Sequence, residues 1–270
     1  MSVDRSVAGS VDAPVVESVA GSLDASLDVV DAREQMVEQQ VRAWDVLDER
    51  ILGVLREVPR ERFVPASWRE LAYADCEIPL PCGKRMLRPM IVGRLLQALQ
   101  VQAHERVLEV GTGSGYVSAC LARLGARVRS LELHAPLATF AEANLRAVCG
   151  ASGLSGAASV SGASGAASGA TPPAVPAVPA VEVLCADAMQ LAEESAYDVV
   201  VLTASLPLHE PRFERALRPG GRLFAVIGAT EPQQACLIRR ASARDFTREV
   251  LFETVIEPLE HAPRPEAFGF

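Results

Sequence analysis

The chain has 270 residues, 49% hydrophobic and 22% charged, with a formal net charge of −8. That size suggests one domain plus extras with ample apolar content for a core, and no apolar run approaches the ~20 residues of a membrane span. No basic stripe or aromatic-interleaved patch suggests nucleic acid, and 25 of the 26 basic residues are arginine, with Lys84 the single lysine. The start, MSVDRSVAGSVDAP, has neither a basic region nor a continuous apolar stretch, so a secretory leader is not expected. The expectation is a cytoplasmic protein, monomer favoured, with no membrane and no nucleic-acid partner. Six scattered cysteines, with no C-x-x-C pair, suggest reduced thiols and no metal.

Residues 1–32 hold six acids against Arg5 alone, and SVAGSVDA at Ser6–Ala13 recurs as SVAGSLDA at Ser18–Ala25. Such a stretch buries too little surface to offset the entropy of ordering, so it reads as a disordered low-complexity tail. Two copies are too few to stack as a solenoid. The domain is expected over 33–270. Helical periodicity covers Arg33–Trp44, Asp48–Val58 with Asp48 as N-cap, and Met90–Gln100 just after Pro89. Strand Arg106–Val110, helix Tyr116–Leu124, strand Val128–Glu132 and helix Ala135–Val148 follow. Gly150–Ala180 has no charge and no aromatic residue and reads as a linker-like insertion. Strands Val181–Asp187 and Tyr197–Ala204, a short helix Arg212–Leu217, and a Pro219-Gly220-Gly221 turn into strand Arg222–Gly228 complete the alternation. Cys236–Arg240 and Phe246–Phe252 are candidate antiparallel edge strands. Continuous apolar strands separated by helices indicate a doubly wound α/β fold with a mostly parallel sheet and an N-terminal helical extension.

Chemistry is expected beyond the carboxyl ends of the strands, near the switch in strand order. Glu109–Gly115 reads E-V-G-T-G-S-G, directly after the first strand and before a helix. Glycines there let the backbone approach a ligand and take up positive φ. Glu132 ends the second strand, placed to accept both hydroxyls of a ribose. Asp187 ends the third, near where an adenine amino group would donate. Dinucleotide sites use G-x-G-x-x-G, but here Gly111, Gly113 and Gly115 form G-x-G-x-G and Tyr116 stands where that pattern needs glycine. The spacing favours S-adenosylmethionine over NAD. Glu109 either braces the loop or touches the ligand.

LEVGTGSGY resembles the first motif of protein-L-isoaspartate O-methyltransferases. MVEQQVR (Met36–Arg42), VPRERFVP (Val58–Pro65), LAYAD (Leu71–Asp75) and LRPGGRL (Leu217–Leu223) are similar to further parts of that family's pattern, in order. The likeness covers roughly Met36 to Gly228. It implies a Rossmann-like class I methyltransferase fold and methyl transfer from S-adenosylmethionine to the side-chain carboxylate of L-isoaspartyl residues in damaged proteins. By position Gly111, Thr112, Gly113, Gly115, Glu132, Asp187 and Thr203 match the family's cofactor pocket. Thr203–Pro207 resembles its loop after the fourth strand.

One segment departs from the pattern. The family's substrate loop reads like P-I-G-Y-G-Q-T-I-S-Q-P, with its Thr and Ser beside the substrate carboxylate. Pro79–Pro89 here reads P-L-P-C-G-K-R-M-L-R-P. Gly83 and Pro89 keep register, but Arg85 replaces the Thr and Leu87 the Ser, while Lys84 and Arg88 replace glutamines on either side of Met86. The loop has lost both hydroxyls and gained three cations, which would recruit a more acidic substrate. Two functions stay open: an O-methyltransferase acting on a protein or peptide carboxylate, and a cofactor-binding sensor or adaptor without turnover.

Overall fold

A computed structural model describes residues 28–150 and 181–265. The rest of the tail and the insertion (1–27 and 151–180) lie outside the described residues. Residues 28–35 are already α-helical, so 28–32 belong to the helical extension and not to the tail. Composition alone misses the anchor: Arg33 donates to the Tyr73 hydroxyl (2.9 Å), the Arg56 carbonyl (3.0 Å) and Glu61 (3.1 Å). The expected helix Arg33–Trp44 is not uniform. It widens into a π-helix over Met36–Val41 and tightens into a 3₁₀ turn at Arg42–Trp44.

Helix α1 (Glu49–Glu57) begins where Asp48 accepts from the Arg50 amide (2.9 Å), as the sequence predicts. A small hairpin of β1 (Ile78–Pro79) and β2 (Arg85–Met86) carries the divergent loop, and α2 (Pro89–Leu99) starts on Pro89. The alternating part then runs β3 (Arg106–Val110), α3 (Tyr116–Arg123), β4 (Arg127–Glu132), α4 (Ala135–Cys149), β5 (Val181–Cys185), β6 (Tyr197–Leu206), α5 (Pro211–Arg215), β7 (Leu217–Ile227), β8 (Gln233–Arg240) and β9 (Phe246–Thr254). The sheet order is β5-β4-β3-β6-β7-β8-β9, parallel from β5 through β7 and antiparallel thereafter. Two predicted details change. Of the two antiparallel strands only β9 is an edge, because β8 lies between β7 and β9. The Pro-Gly-Gly turn is a bulge inside β7, where pairing jumps from Tyr197–Leu217 to Val199–Arg222.

Alternation along the buried strands splits the core in two. Val107, Val199, Val201 and Phe224 pack beneath α2, α3 and the N-terminal helices. Leu108, Val200, Leu202 and Leu223 face the other side with Phe213 of α5. The chain enters β3, moves outward through β4 and β5, then returns to β6 on the other flank of β3. The crevice at that reversal is where the strand ends open a site. After β9 the chain folds back over it as a strap, residues 255–261. Ser205, at the end of β6, donates from its amide to the Glu257 carbonyl (2.8 Å) and accepts from the Leu259 amide (2.8 Å).

Candidate active site

An open cleft of about 760 Å³ is bounded by the ends of β3, β4, β5 and β6, the β1–β2 loop and the strap. Gly111, Gly113, Glu132, Asp187 and Thr203 all line it, together with Lys84, Arg85 and Leu87 of the divergent loop. The remaining predicted residues do not. Gly115 packs away from it, where an added Cβ would stand 3.1 Å from Leu145 and 3.3 Å from the Ala141 carbonyl. Its role is close approach of α3 and α4. Thr112 is buried with its hydroxyl 2.6 Å from that of Ser130. Thr112, Glu109 and Met86 instead line a smaller cavity of about 330 Å³ that adjoins the cleft at Arg85, Leu87, Gly111, Gly113 and Thr203. Gly83 and Pro89 shape the divergent loop from outside the cleft.

Glu109 resolves as a brace. It is wholly buried and one carboxylate oxygen accepts from the Ser118 and Ser130 hydroxyls, while the other has no partner. Burial pushes its pKa up to about 7, against the pull of those two hydroxyls and with a small addition from Glu132. Glu132 is nearly buried and fixes two turns at once, accepting from the Gly113 amide (2.9 Å) and the His134 amide (3.1 Å). Each carboxylate oxygen keeps a further lone pair for a ligand hydroxyl. Asp187 caps the short turn Ala188–Gln190 through the Met189 amide (2.8 Å), and its other oxygen meets His261 of the strap at 2.9 Å. Thr203 reaches back to the Gly111 carbonyl (2.6 Å) and the Val110 carbonyl (3.0 Å). It can do so because β6 carries a bulge: Val201 pairs Phe224 and Ser205 pairs Val226, so two extra residues, including Thr203, leave the ladder.

Residues that carry an adenosine-type ligand need an open backbone face, a hydroxyl acceptor and an apolar slot, and the cleft has each. A Cβ on Gly113 would meet nothing nearer than Leu80 at 3.5 Å, so this face of the loop is clear. Leu131, Leu133, Leu137 and Ala188 supply the apolar walls around Glu132 and Asp187. The residues present fit S-adenosylmethionine.

The divergent loop behaves differently from expectation. Lys84 pairs with Glu260, and Arg85 with Glu257 at 3.4 Å, both partners on the strap. Arg88 turns from the cleft into a separate groove beside Trp44 and Phe252. So two of the three added cations reach the site, and both are already neutralised there. Leu87 is buried, and its carbonyl accepts from Arg60 (2.7 Å).

Arg60 is a residue that sequence reasoning passed over. It is fully buried, donates also to the Ala72 carbonyl (2.8 Å), and lies 5.0 Å above the Tyr116 ring. Phe63 meets the same ring edge-on at 5.5 Å. One side chain therefore joins VPRERFVP, LAYAD, the divergent loop and LEVGTGSGY. Nothing in its residue type announces burial, and only its place in a family-like motif could have marked it. The strap residues Ile256–Glu260 were also missed, because an irregular segment after the last strand carries no periodic signal.

Among the described residues, no His/Cys/Asp/Glu group could hold a metal ion, and no helix is long and apolar enough to cross a membrane. The family model of protein-L-isoaspartate(D-aspartate) O-methyltransferase matches residues 31–261. The protein-L-isoaspartate O-methyltransferase of Methanoculleus marisnigri is 35% identical over 78% of this chain and 84% of its own. That of a Synechococcus strain is 38% identical over 87% and 88%. In fold, the chain is similar to a Plasmodium falciparum protein described as a putative protein-L-isoaspartate O-methyltransferase in complex with S-adenosyl-L-homocysteine. The TM-score is 0.65 at 17% identity, covering 84% of this chain and 98% of that one. The match spans both alternating halves and the helical extension that carries the distinctive motifs, and on that breadth the chain belongs to the protein-L-isoaspartate(D-aspartate) O-methyltransferase family.

Proposed function

We propose that the protein methylates the free carboxylate of L-isoaspartyl residues in proteins and peptides, with S-adenosylmethionine as donor. The observation that carries this reading is the cleft at the β3–β6 reversal, where the open face of Gly113 and the Glu132 carboxylate converge in a chain of this family. Glu132 would hold the ribose hydroxyls, Asp187 the adenine amino group, and the Gly111–Gly113 backbone the amino-acid end. The bound cofactor supplies an electrophilic methyl on a cationic sulfur. The chain's own task is small. A carboxylate with a pKa near ~4 is ionised at neutral pH, so no side chain need remove a proton. What remains is to hold the carboxylate in line with the methyl and to thin the water around it, since attack neutralises both charges. The strap and the divergent loop roof the cleft and perform that exclusion.

The test is transfer of labelled methyl from S-adenosylmethionine to an isoaspartyl peptide, with the aspartyl peptide of the same sequence as control. Methylation of the first alone is expected; equal labelling of both, or of neither, rejects the reading. Loss of the hydroxyl at Leu87 should show as slow turnover. Leu87→Ser is expected to raise kcat about tenfold, the worth of one orienting hydrogen bond, while lowering Tm because Leu87 packs in the core.

A further inference from the structure

Lys84 and Arg85 line the cleft, yet each is held by a carboxylate of the same chain. Glu260 receives Lys84 from the loop and His134, at 3.0 Å, from the turn after β4. The hydrogen bond from Lys84, and after it the one from His134, hold its carboxyl below the usual range. Glu257 faces Arg85 at 3.4 Å. Glu77, half-buried on the same wall, is pushed up by burial and by Glu257 and drawn down by Arg85 and Arg88. The strap that bears both glutamates is not loosely placed. Its base is stitched to β6 by the two Ser205 backbone bonds, and the Ile256 amide donates to the buried Gln233 side chain (3.1 Å). Glu257 and Glu260 are therefore presented by a fixed backbone to the two loop cations.

We infer that Lys84 and Arg85 are the substrate-carboxylate-binding residues of this chain, and that Glu257 and Glu260 are built-in competitors which the substrate displaces. The inference rests on the proposed isoaspartyl activity and deepens it. The chemistry is an exchange of one carboxylate for another on the same two cations. Lysine and arginine here replace neutral hydrogen-bonding side chains, so selection would rest on charge as well as on hydroxyl geometry. The pairs are partly exposed, with side-chain exposures of 28% and 38% for Lys84 and Glu260. Exchange is then inexpensive, because pairs this wet are weak and screened by salt. A substrate with an acid flanking its isoaspartyl residue would displace both glutamates together.

The experiment measures steady-state methylation of an isoaspartyl peptide, with and without a flanking acid, by the wild type, Glu257→Gln, Glu260→Gln and the double variant. The KM for peptide is expected to fall about fivefold in the double variant. Cofactor KM, kcat and Tm should stay near wild type. Lys84→Gln with Arg85→Gln should raise peptide KM by a similar factor and erase the effect of the glutamate substitutions when the two sets are combined. The gain should shrink at high salt. Methylation with a peptide KM indifferent to the glutamates overturns the inference and leaves the proposed function standing. So does a joint fall of cofactor affinity and Tm, which would make the pairs a structural clamp. Absence of methylation in wild type and every variant overturns both.

Discussion

At the scale of single residues, the site stores its constraints behind the cleft. Glu109 is wholly buried with one oxygen unpartnered, and its pKa stands near 7 against an ordinary 4.5. The folded protein holds a proton there that the unfolded chain has released, so the unfolded state binds fewer protons between those values. The group's contribution to stability is full below the ordinary carboxylate range and is lost as pH rises through 7. Glu109→Gln should therefore gain on wild type as pH goes from 5 to 8, with Tm about 4 °C higher at the alkaline end, read by calorimetry across pH. Gly111 shows a second constraint. It has φ +89°, and a Cβ would stand 2.5 Å from the Thr203 hydroxyl but 3.8 Å from Thr203 Cβ. Gly111→Ala should cost about 3 kcal/mol in the wild type and about 1–2 kcal/mol in a Thr203→Ala background, where only backbone strain remains. Urea unfolding of the four proteins measures the difference, and equal costs would place the clash elsewhere.

At the scale of elements, the motif LRPGGRL marks a joint between layers. Arg222 in β7 makes a two-pronged pair with Glu105, each contact 2.8 Å, and donates to the carbonyls of Leu99 and Gln100 at the end of α2. The bulge at Pro219–Gly221 sets the register that brings Arg222 opposite Val199 and under that helix end. Arg222→Leu should cost about 3 kcal/mol by taking the charge partner from Glu105 and the donor from the Leu99 and Gln100 carbonyls, and lower Tm by roughly 6–12 °C. Adding Glu105→Gln should recover roughly half of that, since the residual charge is what costs most. Strand periodicity and the helix caps were legible in the sequence, because Val107–Val110 and Val199–Leu202 state burial directly. Asp48 and Pro89 likewise mark helix starts. The two bulges were not legible. Whether Thr203 pairs with β7 or turns onto the glycine loop depends on register, which no local residue pattern carries.

At the scale of the whole molecule, the core and the low-complexity stretches are separable by composition. Removing residues 1–27, and joining Gly150 to Val181 by a short turn, should leave Tm within about 2 °C and cofactor affinity within about twofold, since closure entropy depends weakly on loop length. A larger fall in either, by thermal melt or calorimetric titration, would mean that the stretch packs on the core. The cut belongs at 27 and not at 32, because Arg33 and the helix around it are tied to Tyr73 and Glu61. The meeting of Gly111, Gly113, Glu132 and Asp187 in one cleft was legible, although β5 stops at Cys185 and Asp187 caps the turn after it instead of ending the strand; each lies at or just beyond a strand end, and the fold gathers strand ends at one point. The substrate half was legible only as a loop of three cations. Its electrostatic meaning lies in Glu257 and Glu260, about 170 residues further along the chain, and sequence distance hides such pairings.

Lys84 is the single lysine of the chain, and the fold sets it in the roof of the cleft against Glu260. A lysine-specific endoprotease consequently has one target bond in these 270 residues, Lys84–Arg85. Cleavage of the folded protein would then report how often that roof opens, and two fragments on a gel would read it directly. Amine-reactive reagents likewise have one side chain to modify besides the α-amino group, so protection of Lys84 from such a reagent would report ligand in the cleft without an engineered position.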